Sequence, residues 1–338
     1  MPFRTLNSLS CLGVLLLAAF SSAGRLEAAV EFPIAEGTVV RFADVPEGVA
    51  ALSVRDDYIQ QLSPFDLQVR TRTPQPVSEE EFVAFLGKHV IPWSDREVET
   101  LRPLVADIAR KIAPWKLPMP SVILLVKTTG GEEGAAAYCR GPAIVLPRNM
   151  VEGSPTRLAN IFPHELFHVL SNQNPDLRKA LYATIGFQPC NEVRLPPSLA
   201  ALKITNPDAP RNNHYITVTH NGQPTELMPV LVAKMPFNAA SGGNLFSYLQ
   251  FRLMELENVE GERRPRLVNG QPVLLDPANV SGYHEQIGRN TKYIIHPEEV
   301  LADNFVYLLD GRRDLASPQV VTRMADVFKA AAAERPAL

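Results

Sequence analysis

From Ile161 to Leu170 the chain reads IFPHELFHVL, and this stretch restricts the fold more than any other. Leu158, Ile161, Phe162, Leu166, Val169 and Leu170 make the segment an apolar helix that belongs largely in a core. Residues four apart share a helix face, so His164 and His168 point the same way into that core. Two buried imidazoles without partners are costly, so the fold must bring them either polar groups or a shared ion. Glu165 lies about 100° round the helix, beside the face of the histidines rather than on it. The competing reading is an ordinary core helix that happens to carry two histidines. Pro163 removes one backbone N–H and frees the carbonyl of Ala159, so a kink is expected one turn before the histidines.

The spacing has a chemical reading. Two imidazoles at i and i+4 can ligate one zinc ion, while the intervening glutamate acts as general base toward a water on the metal. Zinc lowers the pKa of such a water toward ~7, within reach of a carboxylate near neutral pH. A zinc site of this kind needs a third protein ligand, and YIIHPEEVLADNF supplies a candidate about 130 residues downstream. Pro297 suits the first helical position, so Glu299 and Asp303 share a face of the helix that follows. Glu299 would ligate the zinc, and Asp303 would accept the free ring N–H of a ligating histidine. Glu298 is the competing ligand, but its i+4 residue is Ala302, which cannot provide that acceptor and suits close helix packing instead.

HExxH on one helix followed by Glu-x-x-x-Asp on a later one resembles the gluzincins, the thermolysin-like clan of zinc metallopeptidases. The resemblance covers about Ser78 to Glu334 and is specific over the two short motifs. It implies His164, His168 and Glu299 as metal ligands to one Zn2+, Glu165 as general base and Asp303 as the support of a ligand histidine. It also implies an edge strand ahead of the motif helix that binds substrate in extended form, and EEGAAAYCR has that place in the chain. Tyr293, shortly before the ligand glutamate, has the position of a tyrosine that stabilises the oxyanion in some gluzincins. A buried structural role for Tyr293 is the alternative, given its neighbours Ile294 and Ile295. The implied fold is α+β: a zincin-like domain with a small mixed sheet, an active-site helix, a helical C-terminal part and inserted β-hairpins. The implied activity is peptide-bond hydrolysis. A non-peptidase zinc amidohydrolase on the same site, or a catalytically silent exported protein of zincin fold, are the alternatives.

The rest of the chain sets the context. Its formal net charge of −3 gives no bias toward nucleic acid or an anionic membrane, so the expected partner is a peptide or protein substrate. The N-terminus reads as an export signal over residues 1–23, with cleavage as late as 29: Arg4, a short apolar run LGVLLLAAF, then small residues. That run is well short of the ~20 residues a membrane span needs, so the mature chain is expected outside the cytoplasm and not inserted in a membrane. Cys139 and Cys190 then remain, as a disulfide or as two free thiols.

Residues 30–76 read as an N-terminal β-rich appendage, from runs such as TVVRFADV and FDLQVRTRT. The catalytic domain is placed at 78–334. Ser78 and Ser94 or Asp95 start its first two helices, and SVILLVKTTG is a buried strand. AAAYCR and AIVLP are strands joined across Gly141-Pro142. An insertion at about 175–290 holds two Asn-Gly hairpins, with NLFSYLQFRLMELENVEG between them read as helical. The insertion also carries His214, Tyr215, His220 and His284: each is read first as a surface or packing residue, and one of them is a candidate second oxyanion donor if it reaches the cleft. HPEEVLADNFVYLLDG and SPQVVTRMADVFKAAAAE close the chain as helices.

Overall fold

A run of capping residues divides the N-terminal third into helices between the strands of one sheet. The structure is a computed structural model and describes residue 1 and residues 29–333. The expected export signal lies outside the described residues apart from residue 1. Strands β1 (Glu31–Ala35) and β2 (Thr38–Phe42) form a hairpin. Helices α1 (Val45–Leu52), α2 (Asp57–Gln61), α3 (Pro64–Thr71), α4 (Glu79–His89) and α5 (Asp95–Ile112) follow. Ser63, Ser78 and Ser94 each close a capping box with the acid three residues on, which satisfies the first free N–H groups of α3, α4 and α5. Val98, Leu101, Val105, Ile108 and Ile112 form the buried stripe of α5, as their spacing requires.

Strands β3 (Val122–Thr128), β4 (Tyr138–Arg140) and β5 (Ala143–Pro147) complete a five-stranded sheet in the order β1-β2-β3-β5-β4. β2, β3 and β5 run parallel, while β1 and β4 are antiparallel to their neighbours. β4 is an open edge of this sheet. One face packs on α5 and the motif helix, and the other on α1 and α4.

After the short α6 (Arg148–Val151) come α7 (Pro155–Gln173) and α8 (Pro175–Ala183). The next region is mostly antiparallel sheet: β6 (Phe187–Pro189), α9 (Pro197–Ala200), β7 (His214–His220), β8 (Gln223–Ala233), α10 (Leu245–Tyr248), β9 (Leu249–Val259) and β10 (Glu262–Pro265). The pairs β11 (Leu267–Val268) with β12 (Gln271–Pro272), and β13 (Leu274–Leu275) with β9, finish it. The sheet order is β10-β9-β8-β7-β6, and both expected Asn-Gly turns are present, with Asn221 and Asn269 at positive φ as such turns require. α11 (Tyr283–Ile287), α12 (Pro297–Leu309) and α13 (Pro318–Ala333) close the chain. α12 lies against α7, with Ala302 fully buried. The α+β class is therefore as expected from the sequence.

Two sequence expectations need correction, and one open choice is settled. Residues 30–76 are not a β-rich appendage: β1 and β2 belong to the central sheet, and FDLQVRT is the helix α3, started by Ser63 and Pro64. Arg70 of α3 is fully buried and bonds to Asp66, to Glu133 and to the carbonyl of Thr205, which ties the region into the fold. The segment read as a helix between the hairpins is chiefly β9. Its Leu, Met and Glu content favours a helix, but β8 on one edge and β10 and β13 on the other override that preference. Cys139 and Cys190 are free thiols, and the Cys139 Sγ–H donates to the carbonyl of Glu165 at 3.1 Å.

Candidate metal centre

α7 runs unbroken through Pro163 and carries His164, Glu165 and His168 into the interface with α12. His168 is 0% exposed, Glu299 1%, Glu165 3% and His164 8%. The two imidazole rings are 4.8 Å apart and nearly perpendicular. Their Nε2 atoms converge on one oxygen: Glu299 Oε2 lies 3.2 Å from His164 Nε2 and 3.5 Å from His168 Nε2. His164, His168 and Glu299 thus form a buried group able to hold a metal ion.

Each Nδ1 has its own carboxylate. His164 Nδ1 is 3.0 Å from Asp303 Oδ1, and Asp303 in turn accepts from the Thr291 hydroxyl. His168 Nδ1 is 3.1 Å from Glu298 Oε1, whose other oxygen accepts from Ser171 and Tyr182. With protons on both Nδ1 atoms, the Nε2 lone pairs face Glu299, the arrangement that metal ligation needs. The donor set fits a metal on a further count: His168 Nε2 is sealed from solvent and has no hydrogen-bond partner among the described residues.

The electrostatics follow from packing imidazoles among acids. Burial opposes a charge on His164, but the bonds to Asp303 and Glu299 outweigh it and raise its pKa to about 10. His168 is likewise raised against its burial, chiefly by Asp208, Glu299 and Glu298. Burial also works against the Glu299 carboxylate, yet the two histidines hold its pKa well below the usual range. Glu165 is pushed up by burial, with the Cys139 Sγ 3.5 Å from its Oε2.

Of the expected residues, the structure brings His164, His168, Glu299 and Asp303 together, with Glu165 on the same buried helix beside them. Glu298, expected only as a rival ligand, holds the second histidine instead. The adjacent acids of PEEVLAD were the available signal, because neighbouring helix positions lie about 100° apart and can reach different edges of one ring. Asn206 and Asp208, from a loop with no readable motif, also reach the site. Asn206 Nδ2 donates to Glu299 Oε1 at 2.6 Å, and Asp208 Oδ1 accepts from the Cys139 backbone N–H at 2.7 Å. Tyr293 is 42% exposed, with its ring stacked 6.2 Å from that of His164. His214 packs against Tyr182 and His284 against Tyr283, Tyr215 bonds to Gln188, and His220 ends β7 at a hairpin turn. None of these four belongs to the triad.

No protein-family model matches the chain, and comparison with curated proteins and with solved structures likewise found no match.

Proposed function

We propose that the chain is a single-zinc metallopeptidase of gluzincin type, acting outside the cytoplasm on peptide or protein substrates. The observation that carries this reading is the convergence of His164 Nε2, His168 Nε2 and Glu299 Oε2, with each histidine fixed at Nδ1 by a separate carboxylate. A structural zinc site uses four protein ligands, whereas three leave a position for water and substrate.

Three nitrogen and oxygen donors of this kind suit zinc, which when bound would polarise a scissile carbonyl and acidify a water. Glu165 is the base beside that position: it takes the water's proton at its carboxylate and returns it to the leaving amine. Burial pushes its pKa up from the ordinary carboxylate range, the direction that favours returning a proton. Tyr293, against the ring of His164, offers its hydroxyl to the developing oxyanion. Asp303 and Glu298 keep the two imidazoles in the tautomer that presents Nε2.

The test is the purified, zinc-loaded chain against Glu165→Gln on unstructured peptides. The variant is expected to keep one zinc per chain and lose cleavage. Equal cleavage by both proteins would sink the reading.

A further inference from the structure

The Cys139 backbone N–H is on the open edge of the central sheet, at β4, and faces away from β5. An extended peptide adding to that edge would offer this N–H a backbone carbonyl. The place is taken by the chain itself, because Asp208 Oδ1 accepts from it at 2.7 Å. The Asp208 carboxylate also lies beside the proposed base: ligand atoms of Asp208, Glu165 and Cys139 are all within 4.8 Å of one another. Two residues back, Asn206 is held at both ends of its amide, donating to Glu299 Oε1 and accepting from the Asp208 N–H at 3.1 Å.

We infer that Asn206–Asp208 is an autoinhibitory strap that lies along β4 in the place of substrate, so that the site is latent until the strap moves aside. The inference rests on the peptidase reading. The surroundings of the strap support it. Pro207 lines two cavities, a small one of about 50 Å³ with Ala137 and Tyr293 and a larger one of about 550 Å³ with Arg140 and Arg178. Ala137 and Arg140 flank Tyr138–Cys139, so both cavities border the edge strand where the strap touches it.

Upstream the strap is anchored in the core, where the Ile204 N–H bonds to the Leu231 carbonyl and Thr205 bonds to buried Asp66. Downstream, buried Lys203 donates to the Pro210 carbonyl at 3.0 Å, the Asn212 N–H donates to Glu192 at 2.8 Å, and Arg211 pairs with Asp57 at 2.6 Å at the surface. For the strap to move aside, Asn206 must leave Glu299 and Asp208 must leave the Cys139 N–H, while Thr205 stays on Asp66.

The experiment uses the full zinc-loaded chain and a dipeptide hydroxamate, whose binding needs the metal and the groove but no turnover. Calorimetry should show Asp208→Ala binding it about tenfold or more tighter than wild type, the scale of one buried hydrogen bond released. Asp208→Asn keeps an acceptor for the Cys139 N–H and should stay within about threefold of wild type. On wild type itself, saturating hydroxamate should strip hydrogen-exchange protection from residues 206–211, with 204 and 205 unchanged. The inference is overturned by equal or weaker binding to Asp208→Ala, or by tight binding to wild type with that protection intact. The Glu165→Gln comparison reads turnover alone, so it can fail while these binding results stand, and the reverse.

Discussion

Glu298 and Glu299 are neighbours in the chain, yet they address opposite nitrogens of one ring, that of His168. Glu298 Oε1 lies 3.1 Å from Nδ1, and Glu299 Oε2 lies 3.5 Å from Nε2. One glutamate therefore sets the tautomer while the next shares the metal-facing side. Neither can do the other's work, because each is fixed at its own helical angle on α12.

Glu298→Gln should accordingly weaken metal binding without removing a ligand. Gln puts an N–H₂ where Ser171 and Tyr182 now donate, and it lacks the charge that holds the His168 N–H. Zinc affinity is expected to fall about 10–100-fold, as is usual when the partner of a ligating histidine is changed. Asp303→Asn should act similarly through His164. Competition with a chromogenic chelator measures both, and unchanged affinity in the two variants would remove the proposed role of the carboxylates.

Glu165→Gln separates the metal from the chemistry. Loss of a general base costs about 10²–10⁴ in rate, so kcat should drop by at least that while zinc content is unchanged. Metal analysis beside a peptide-cleavage assay gives both numbers from one preparation.

Protonation of the metal-free site makes its stability depend on pH. The pKa of His164 is raised to about 10 in the folded chain, above the ordinary 6.5. The folded state therefore holds that proton more tightly than the unfolded state. The resulting stabilisation is complete below about pH 6.5 and is lost as pH rises toward about 10. Chelated protein should show a falling Tm across that window, measured by scanning calorimetry. With saturating zinc the ion replaces the proton at Nε2, and the slope should flatten. A chelated Tm as high at pH 9.5 as at 6.5 would contradict this.

Arg70→Ala tests whether residues 30–76 belong to the fold. The guanidinium is fully buried between Asp66 and Glu133, and its removal leaves both carboxylates without their cation. Breaking a buried pair in this way costs about 3–5 kcal/mol, to be read from the urea midpoint. A change under about 1 kcal/mol, the size of an exposed pair, would mean that the cluster is incidental.

How much of this was legible in the sequence depended on how local the signal was. HELFH and PEEVLAD each gave their helix, their shared face and their candidate roles, because 3.6-residue periodicity fixes those within a few positions. Ser78 and Ser94 marked helix starts for the same reason. Residues 63–66 carry an equally good start, SPFD, but the β-branched and aromatic residues around it favour a strand by their own propensity. β9 went the other way, since only its partners on either edge make it a strand. Asn206 and Asp208 left no trace at all. A loop reaches a distant site through the whole path of the chain, and no short pattern encodes that path.

The two halves of the centre are 135 residues apart in the chain, His164 to Glu299, and the large antiparallel sheet is built between them. Bringing together segments so distant in sequence costs loop-closure entropy and slows folding. An ion that depends on all three side chains therefore finds its full ligand set only once α12 has docked on α7. In kinetic terms the metal can report that folding has finished; it is badly placed to start it.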